Sequence, residues 1–219
     1  MSQNGDPVAI AEHVTFAYPA NRRPTLSDVS LRVERGAMVA VTGPSGVGKS
    51  TLIYLLGLFI RPTEGEIVLL GSPTRRLSDA SRSRLRATAL GLVFQDPVLH
   101  PELSIEENVA EGALYAGCSY REAIDRARRL LDRFGIGDLR RRRPGEVSGG
   151  QAQRAVLCRA LIREPVLILA DEPTGSLDAA NGTAVLAGLR AAADRGAGVL
   201  IATHSQAVAE ACDATVRLA

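Results

Sequence analysis

Eight consecutive residues in the first quarter of the chain restrict its fold more than any other segment does. They match the pattern G-x-x-x-x-G-K-[ST] without a gap and read Gly43-Pro44-Ser45-Gly46-Val47-Gly48-Lys49-Ser50. Apolar residues 38–41 precede them, and the helix-compatible residues 51–58 follow. Glycines let such a loop turn tightly with its amides inward, and the next helix presents unsatisfied N–H groups to phosphate oxygens. The motif therefore predicts a strand–loop–helix unit that binds a nucleoside triphosphate.

The chain has 25 arginines and a single lysine, and that lysine lies within this loop. The compact ammonium of Lys49 fits between β- and γ-phosphates, where the larger planar guanidinium does not. The next residue, Ser50, offers a hydroxyl oxygen to Mg²⁺. Both residue types therefore favour a bound nucleotide over a glycine-rich turn without a ligand.

Beyond the loop, short apolar segments alternate with helical patterns. Continuous apolarity is typical of strands covered on both faces of a parallel sheet, and helices between such strands indicate an α/β fold. Helices are expected at residues 121–134, 151–163 and 183–195, where the first places its apolar side chains on one face. Strands are expected at residues 38–41, 92–94, 166–170 and 199–202.

Two regions interrupt this alternation. Residues 8–37 and 65–72 favour antiparallel strands, and residues 97–150 are mainly helical and rich in charge. We therefore expect one α/β domain over residues 8–219, with a P-loop NTPase core around a mainly parallel sheet, a small antiparallel β subdomain and an inserted helical subdomain. The polar residues 1–7 are expected to be disordered.

Composition excludes several classes of protein. The formal net charge of +2 gives little reason to expect nucleic acid as a partner. The three cysteines are widely spaced and form no Cys-x-x-Cys pair, which argues against a disulfide framework or a zinc site. No apolar stretch approaches the roughly 20 residues of a membrane helix, and no secretory signal is recognisable. These features predict a cytosolic chain.

A second chemical signal follows residues 166–170, where an apolar segment ends in two carboxylates. In phosphoryl transfer one such carboxylate holds Mg²⁺ and another polarises the attacking water. Asp171 and Glu172 suit these roles, and alternation along a strand is expected to point them to opposite sides. The alternative is an acidic strand end that caps a turn.

The segment that points to a family is Val147-Ser148-Gly149-Gly150-Gln151. It resembles the signature sequence of ATP-binding cassette (ABC) proteins, with valine in place of the usual leucine. Other positions resemble further motifs of that family in their usual order: Tyr18 the adenine-stacking aromatic, Gln95 the Q-loop, Asp178 the D-loop, and His204 the switch histidine. The resemblance covers about residues 8–217 and implies a Mg²⁺-dependent ATP hydrolase.

The resemblance also implies a role for each matching residue. The implied catalytic residues are Lys49, Gln95, His204 and, as general base, Glu172. The implied Mg²⁺ ligands are Ser50, Gln95 and Asp171. The implied nucleotide contacts are Tyr18, Gly43, Pro44, Ser45, Gly46, Val47, Gly48, Lys49, Ser50, Thr51, Ser148, Gly149, Gly150, Gln151 and Asp178.

The residues of the signature segment agree with this interpretation. Ser148 suits the N-cap of an amphipathic helix, whose first amides form a second anion site. Such a site is surplus within one chain, and the family uses it in a head-to-tail homodimer, where Ser148 and Gly150 contact the γ-phosphate held by the opposite subunit. The alternatives are ordinary capping at Ser148, a packed aromatic at Tyr18 (with Phe16 as another stacking face) and a histidine without a ligand at His204.

The resemblance further implies partners. A short cassette of this kind works with a separately encoded integral membrane permease, which would hold it at the inner face of the membrane. The sequences of residues 169–178 and 106–109 most resemble those of the ABC proteins that handle lipoprotein release, macrolide efflux and cell division. The alternatives are a mechanotransmission complex that moves no solute, and a cassette protein that acts on nucleic acid or the ribosome.

Overall fold

The computed structural model describes residues 7–19 and 23–219. The strands in these ranges are β1 Pro7–Phe16, β2 Leu26–Glu34, β3 Met38–Thr42, β4 Glu64–Leu69, β5 Ser72–Pro73, β6 Leu90–Val93, β7 Leu167–Asp171, β8 Gly198–Ala202 and β9 Ala214–Arg217. The α-helices are α1 Lys49–Leu56, α2 Asp79–Ala89, α3 Ile105–Leu114, α4 Tyr120–Arg133, α5 Gly149–Leu161, α6 Ala179–Asp194 and α7 Gln206–Glu210.

Five strands form a parallel sheet in the order β6-β7-β8-β3-β9. The apolar runs of β3, β7 and β8 are buried because helices cover both faces of this sheet. On one face, Val41, Leu169 and Leu200 pack with the apolar side chains of α1. On the other face, Ile168 and Ile201 pack with those of α5 and α6. The two groups of helices are therefore separated by the sheet.

The remaining four strands form an antiparallel sheet in the order β2-β1-β4-β5. Its inward side chains belong to the same apolar cluster as α1 and one face of the parallel sheet. The α/β class with a parallel and an antiparallel sheet is confirmed. The strands of the second sheet begin and end close to the expected residues 8–37 and 65–72.

Between β6 and β7 the chain is helical. Helix α4 buries Ala123, Ile124, Ala127 and Leu131 on a single face, as the helical spacing of residues 121–134 predicts. These side chains form a third apolar cluster with α3 and with one side of α5. Helix α5 thus contacts both the sheet and the helical region, so it links the two.

The expectation of disorder for residues 1–7 falls on residues outside the described ranges, except for Pro7, which is the first residue of β1. Among the described residues, no helix combines the length and apolar character needed to cross a membrane.

Candidate functional site

The glycine-rich loop lies between β3 and the first residue of α1. Its last glycine, Gly48, is the N-cap of α1 with φ of 105°, and no side chain caps this helix end. A Cβ at Gly48 would lie 2.9 Å from the Thr25 carbonyl oxygen, and together with the positive φ this requires glycine. The exposed part of the loop consists of Pro44, Ser45 and Gly46. The first amides of α1 are therefore left to bind an anion.

The lysine of this loop is folded back onto it. The Lys49 ammonium donates hydrogen bonds to the carbonyl oxygens of Gly43 at 2.8 Å and Pro44 at 3.1 Å. The side chain is buried, with 9 % of its surface exposed. The positive charge is thus kept at the mouth of the loop, where phosphates would enter. Val47 packs against the apolar cluster below the loop.

Asp171, the last residue of β7, lies beside the loop. Burial raises the pKa of its carboxyl group, and the nearby charge of Glu172 raises it further, against the opposing effects of the Ser50 hydrogen bond and of Lys49. A hydroxyl and a carboxylate in contact are hard oxygen donors, which suit Mg²⁺. A divalent cation would also relieve the cost of this half-buried charge.

Glu172 does not continue the strand. Strand β7 ends at Asp171, and the backbone of Glu172 is left-handed with φ of 45°. Strand alternation therefore does not set the direction of Glu172, because the chain turns directly after Asp171, and the expected opposite orientation of the two carboxylates stays a prediction. The turn lets Glu172 Oε1 lie 2.7 Å from His204 Nδ1, while Oε2 accepts a hydrogen bond of 3.1 Å from the Thr203 hydroxyl.

His204 is exposed apart from this contact, with 71 % of its side chain accessible, whereas the side chain of Glu172 is 14 % accessible. The histidine therefore has a free face toward solvent beside a sheltered carboxylate. Thr203 is a site residue that the sequence analysis missed. Its place directly after the buried strand β8 and directly before His204 was the available signal.

Gln95 follows β6 and is exposed. A Cβ at Gly175 would lie 3.6 Å from Gln95 Nε2 and 3.6 Å from Glu172 Cβ, which places the amide beside the turn after β7. The structure thus brings Gln95, Glu172 and His204 to the same edge of the parallel sheet as the glycine-rich loop.

Tyr18 follows β1 and reaches the start of α1. Its hydroxyl lies 3.3 Å from Thr51 Oγ1, and its ring meets the edge of Phe16 at 4.8 Å between centroids with an interplanar angle of 89°. Phe16 is buried, with 8 % exposed, so it offers no free face to a base. Tyr18 is half-buried and both packs against Phe16 and borders the loop.

Ser148 caps α5 as expected. Its hydroxyl accepts a hydrogen bond from the Gln151 amide at 3.3 Å, and Gln151 Oε1 accepts one from the Ser148 amide at 2.8 Å. This reciprocal pair fixes the helix end, while Ser148 and Gly149 remain exposed. The geometry fits both ordinary capping and an open anion site.

The start of α5 packs against the start of α6. Asp178 caps α6 by accepting a 2.8 Å hydrogen bond from the backbone amide of Asn181. Hydrogen bonds from the backbone and the side chain of Asn181 lower the pKa of the Asp178 carboxyl group. A Cβ at Gly150 would lie 2.6 Å from Asn181 Cγ, so this glycine permits close packing of the two helices. Asn181 is a second contact that the sequence analysis missed.

The predicted residues thus form two groups on the structure. One contains the loop, Tyr18, Thr51, Asp171, Glu172, His204 and Gln95. The other contains Ser148, Gly149, Gly150, Gln151 and Asp178 at the starts of α5 and α6, which cover the opposite face of the sheet from α1.

The motifs fall within a known family. The family model described as ABC transporter matches residues 26–175. This chain belongs to the ABC transporter ATP-binding family. The ABC resemblance read from the signature segment is confirmed, and the chain is an ATPase of this family.

Two curated members of the ABC family are similar to this chain over nearly its whole length. The lipoprotein-releasing system ATP-binding protein LolD 2 of Caulobacter vibrioides is 42% identical over 216 residues, 97% of this chain and 95% of that protein. The macrolide export ATP-binding/permease protein MacB of Bartonella quintana is 39% identical over 99% of this chain, which corresponds to 33% of that protein.

A solved ABC structure agrees with the fold. The dimeric ATP-binding cassette MJ0796, in a post-hydrolysis state bound to ADP and Pi, superimposes with a TM-score of 0.89 at 32% identity and covers 96% of this chain and 94% of that one.

Proposed function

We propose that this ABC ATPase energises a separate integral membrane permease through ATP-driven, head-to-tail dimerisation of two copies. The observation that carries the proposal is that α1 and α5 pack on opposite faces of the parallel sheet. Each chain has one phosphate-binding loop and one open helix end at Ser148, and these lie on opposite faces. A second copy, turned head to tail, supplies the missing helix end to each loop. The dimeric form of the related cassette MJ0796 supports this assembly.

In this proposal the residues around the loop bind and position ATP. Lys49 and the first amides of α1 hold the phosphates, and the free face of Tyr18 stacks on the adenine. Ser50, Asp171 and Gln95 would hold Mg²⁺, which neutralises phosphate charge when bound.

The same edge of the sheet then supplies the proton chemistry. Glu172 accepts a proton from the attacking water, since its carboxylate is sheltered and fixed by Thr203. His204 orients that carboxylate and turns its free face to the γ-phosphate. Ser148, Gly149, Gly150 and Gln151 of the opposite copy cover the γ-phosphate, and Asp178 lies next to them at the dimer contact.

Mixing two inactive variants tests the shared site. Lys49→Ala disables the loop and Ser148→Arg disables the helix end, so neither homodimer has an intact site. In a one-to-one mixture half of the dimers are mixed, and each has one intact site of two. We expect each variant alone to be inactive and the mixture to reach about one quarter of wild-type ATP hydrolysis. A mixture as inactive as its components, beside an active wild type, would overturn the shared site.

We further propose a permease of the lipoprotein-release and macrolide-efflux group, which would hold the chain at the inner face of the cell membrane. The similarity to LolD 2 and to the cassette part of MacB supports this group. Val98 lies three residues after Gln95 and is 65% exposed. Phe59 is 45% exposed, and the centroid of its ring lies 6.4 Å from that of Phe94, which directly precedes Gln95. An apolar surface beside Gln95 suits a helix of the permease.

This docking surface is tested with two matched variants. Val98→Asp is expected to abolish retention of a multi-span membrane protein from detergent-solubilised membranes, because a charge would be buried at the contact. Leu70→Asp, at a residue 45% exposed between β4 and β5 of the antiparallel sheet, is the control and is expected to retain the same protein. Equal retention by both variants would contradict docking at Val98.

A further inference from the structure

Gln153 lies in the second turn of α5, and 1% of its surface is exposed. Its side-chain amide donates two hydrogen bonds, to the carbonyl oxygen of Phe94 at 2.8 Å and to that of Pro173 at 3.4 Å. Both partners are acceptors, so an amide NH₂ group suits this position and a carboxylate does not.

The two carbonyl groups belong to the chain segments that carry site residues. Phe94 directly precedes Gln95, and Pro173 directly follows Glu172. Gln153 itself is five residues after Ser148, or about 7 Å along the helix axis. A single side chain therefore connects the signature helix, the Q-loop segment and the turn that holds Glu172.

The acceptor atom of this side chain does not explain why a glutamine lies here. Gln153 Oε1 is buried and has no hydrogen-bond partner among the described residues. A buried acceptor without a partner is unfavourable, and an apolar side chain of similar length would avoid it. The donor side of the amide must therefore account for the residue.

We propose that Gln153 is a positioning residue that makes α5 and the segments of Gln95 and Glu172 move as one unit when ATP binds. This inference rests on the proposed function, because α5 would carry Ser148 into the site of the opposite copy. Placement of Ser148 in one site is then linked to placement of Gln95 and Glu172 in the other.

The test replaces Gln153 with methionine, which keeps the length of the side chain and removes both donors. We expect Gln153→Met to lower kcat about tenfold, with KM for ATP changed by less than about twofold. Its Tm should fall by no more than that of the Cys158→Ala control, because the loss of the donor to the Phe94 and Pro173 carbonyls is partly offset by removal of the unpaired Oε1. Gln153→Leu serves as a second variant of different shape if the first does not fold.

Cys158→Ala is the matched control, since Cys158 is buried on the same helix but packs in the α3–α4 cluster. It is expected to lower Tm and keep kcat. Full kcat in a folded Gln153 variant would overturn the proposal, and so would a loss of kcat that Cys158→Ala reproduces.

Hydrogen exchange provides a readout that does not depend on turnover. In wild type and Cys158→Ala, ATP is expected to protect peptides over residues 94–99 and 172–178 together. In Gln153→Met this joint protection should be lost, although ATP still binds. Unchanged joint protection would overturn the role of Gln153. A wild type that binds ATP but neither dimerises nor hydrolyses it would instead overturn the proposed function.

Discussion

At the scale of single residues, the backbone of Glu172 is held in place by contacts from β8. Its left-handed conformation, with φ of 45°, is unfavourable for a residue with a Cβ. Its amide bonds to the Ala202 carbonyl at 2.9 Å, and its carboxylate is fixed by Thr203 and His204. The sequence placed a carboxylate after an apolar strand, but its direction depends on residues some 30 positions later, which no local pattern encodes.

The neighbouring carboxylate gives a prediction about stability. Because the pKa of Asp171 is raised on folding, the folded chain binds this proton more readily than the unfolded chain does, and the charge opposes folding at neutral pH. We expect Asp171→Asn to raise the Tm of the nucleotide-free chain at pH 7 by about 2–4 °C while abolishing ATP hydrolysis. Thermal unfolding followed by circular dichroism measures the first effect.

The pH dependence distinguishes this cause from a general effect of losing a charge. The gain should disappear as the pH falls through the raised pKa of Asp171 toward the ordinary value of 3.8, where both folded and unfolded carboxyl groups are protonated. Asp125→Asn, on the exposed side of α4, is the control and should leave the Tm unchanged at pH 7. A Tm of Asp171→Asn below that of wild type at pH 7 would contradict the raised pKa.

At the scale of secondary structure elements, α6 offers two glycines with different surroundings. A Cβ at Gly188 would lie 2.6 Å from Phe134 Cε1 and 2.7 Å from Leu157 Cδ2, whereas at Gly182 the nearest atom is 3.7 Å away on Thr174. We expect Gly188→Ala to lower the free energy of unfolding by about 1–3 kcal/mol through overpacking. Gly182→Ala should raise it by up to about 1 kcal/mol, because alanine favours the helix.

Urea unfolding of both variants measures this difference, and the comparison controls for helix propensity because both glycines lie in one helix. Similar values for the two would show that α4, α5 and α6 do not meet as closely as these distances indicate. ATP hydrolysis by the two variants is a second readout, because α6 begins at Asp178, which lies beside Gly150 of the signature segment.

Local patterns predict the elements themselves well. The spacing of residues 121–134 gave α4 to within one residue at each end, and Ser148 was correctly expected as an N-cap. The buried amide of Gln153 was missed because its partners, Phe94 and Pro173, lie 59 and 20 residues away in sequence. A polar side chain among the buried positions of α5 was the only local signal.

At the scale of the whole molecule, the order of the strands determines what one chain can do. The sequence predicts two helix ends suited to phosphate, at Lys49 and Ser148, but it does not state on which face of the sheet each helix packs. That follows from the order β6-β7-β8-β3-β9, with α1 packed on one face and α5 on the other. Under the proposed function, a complete site therefore requires two molecules.

This requirement predicts a dimer that depends on unhydrolysed ATP. Glu172→Gln keeps an oxygen for the Thr203 hydroxyl and the size of the side chain, but an amide is too weak a base to take a proton from water. ATP should therefore bind and remain, and size-exclusion chromatography with light scattering should show twice the chain mass in Mg²⁺ and ATP. The same variant with ADP should be monomeric, because the γ-phosphate contacted by Ser148 is missing.

Lys49→Ala in the Glu172→Gln background is the control for this dimer. It should remain monomeric in ATP, since the buried ammonium proposed to hold the phosphates is lost. If the double variant dimerised as Glu172→Gln does, nucleotide would not be the link between the two copies. If Glu172→Gln hydrolysed ATP at the wild-type rate, the sheltered carboxylate beside His204 would not be the base. The two failures are distinct because the first concerns assembly and the second the reaction.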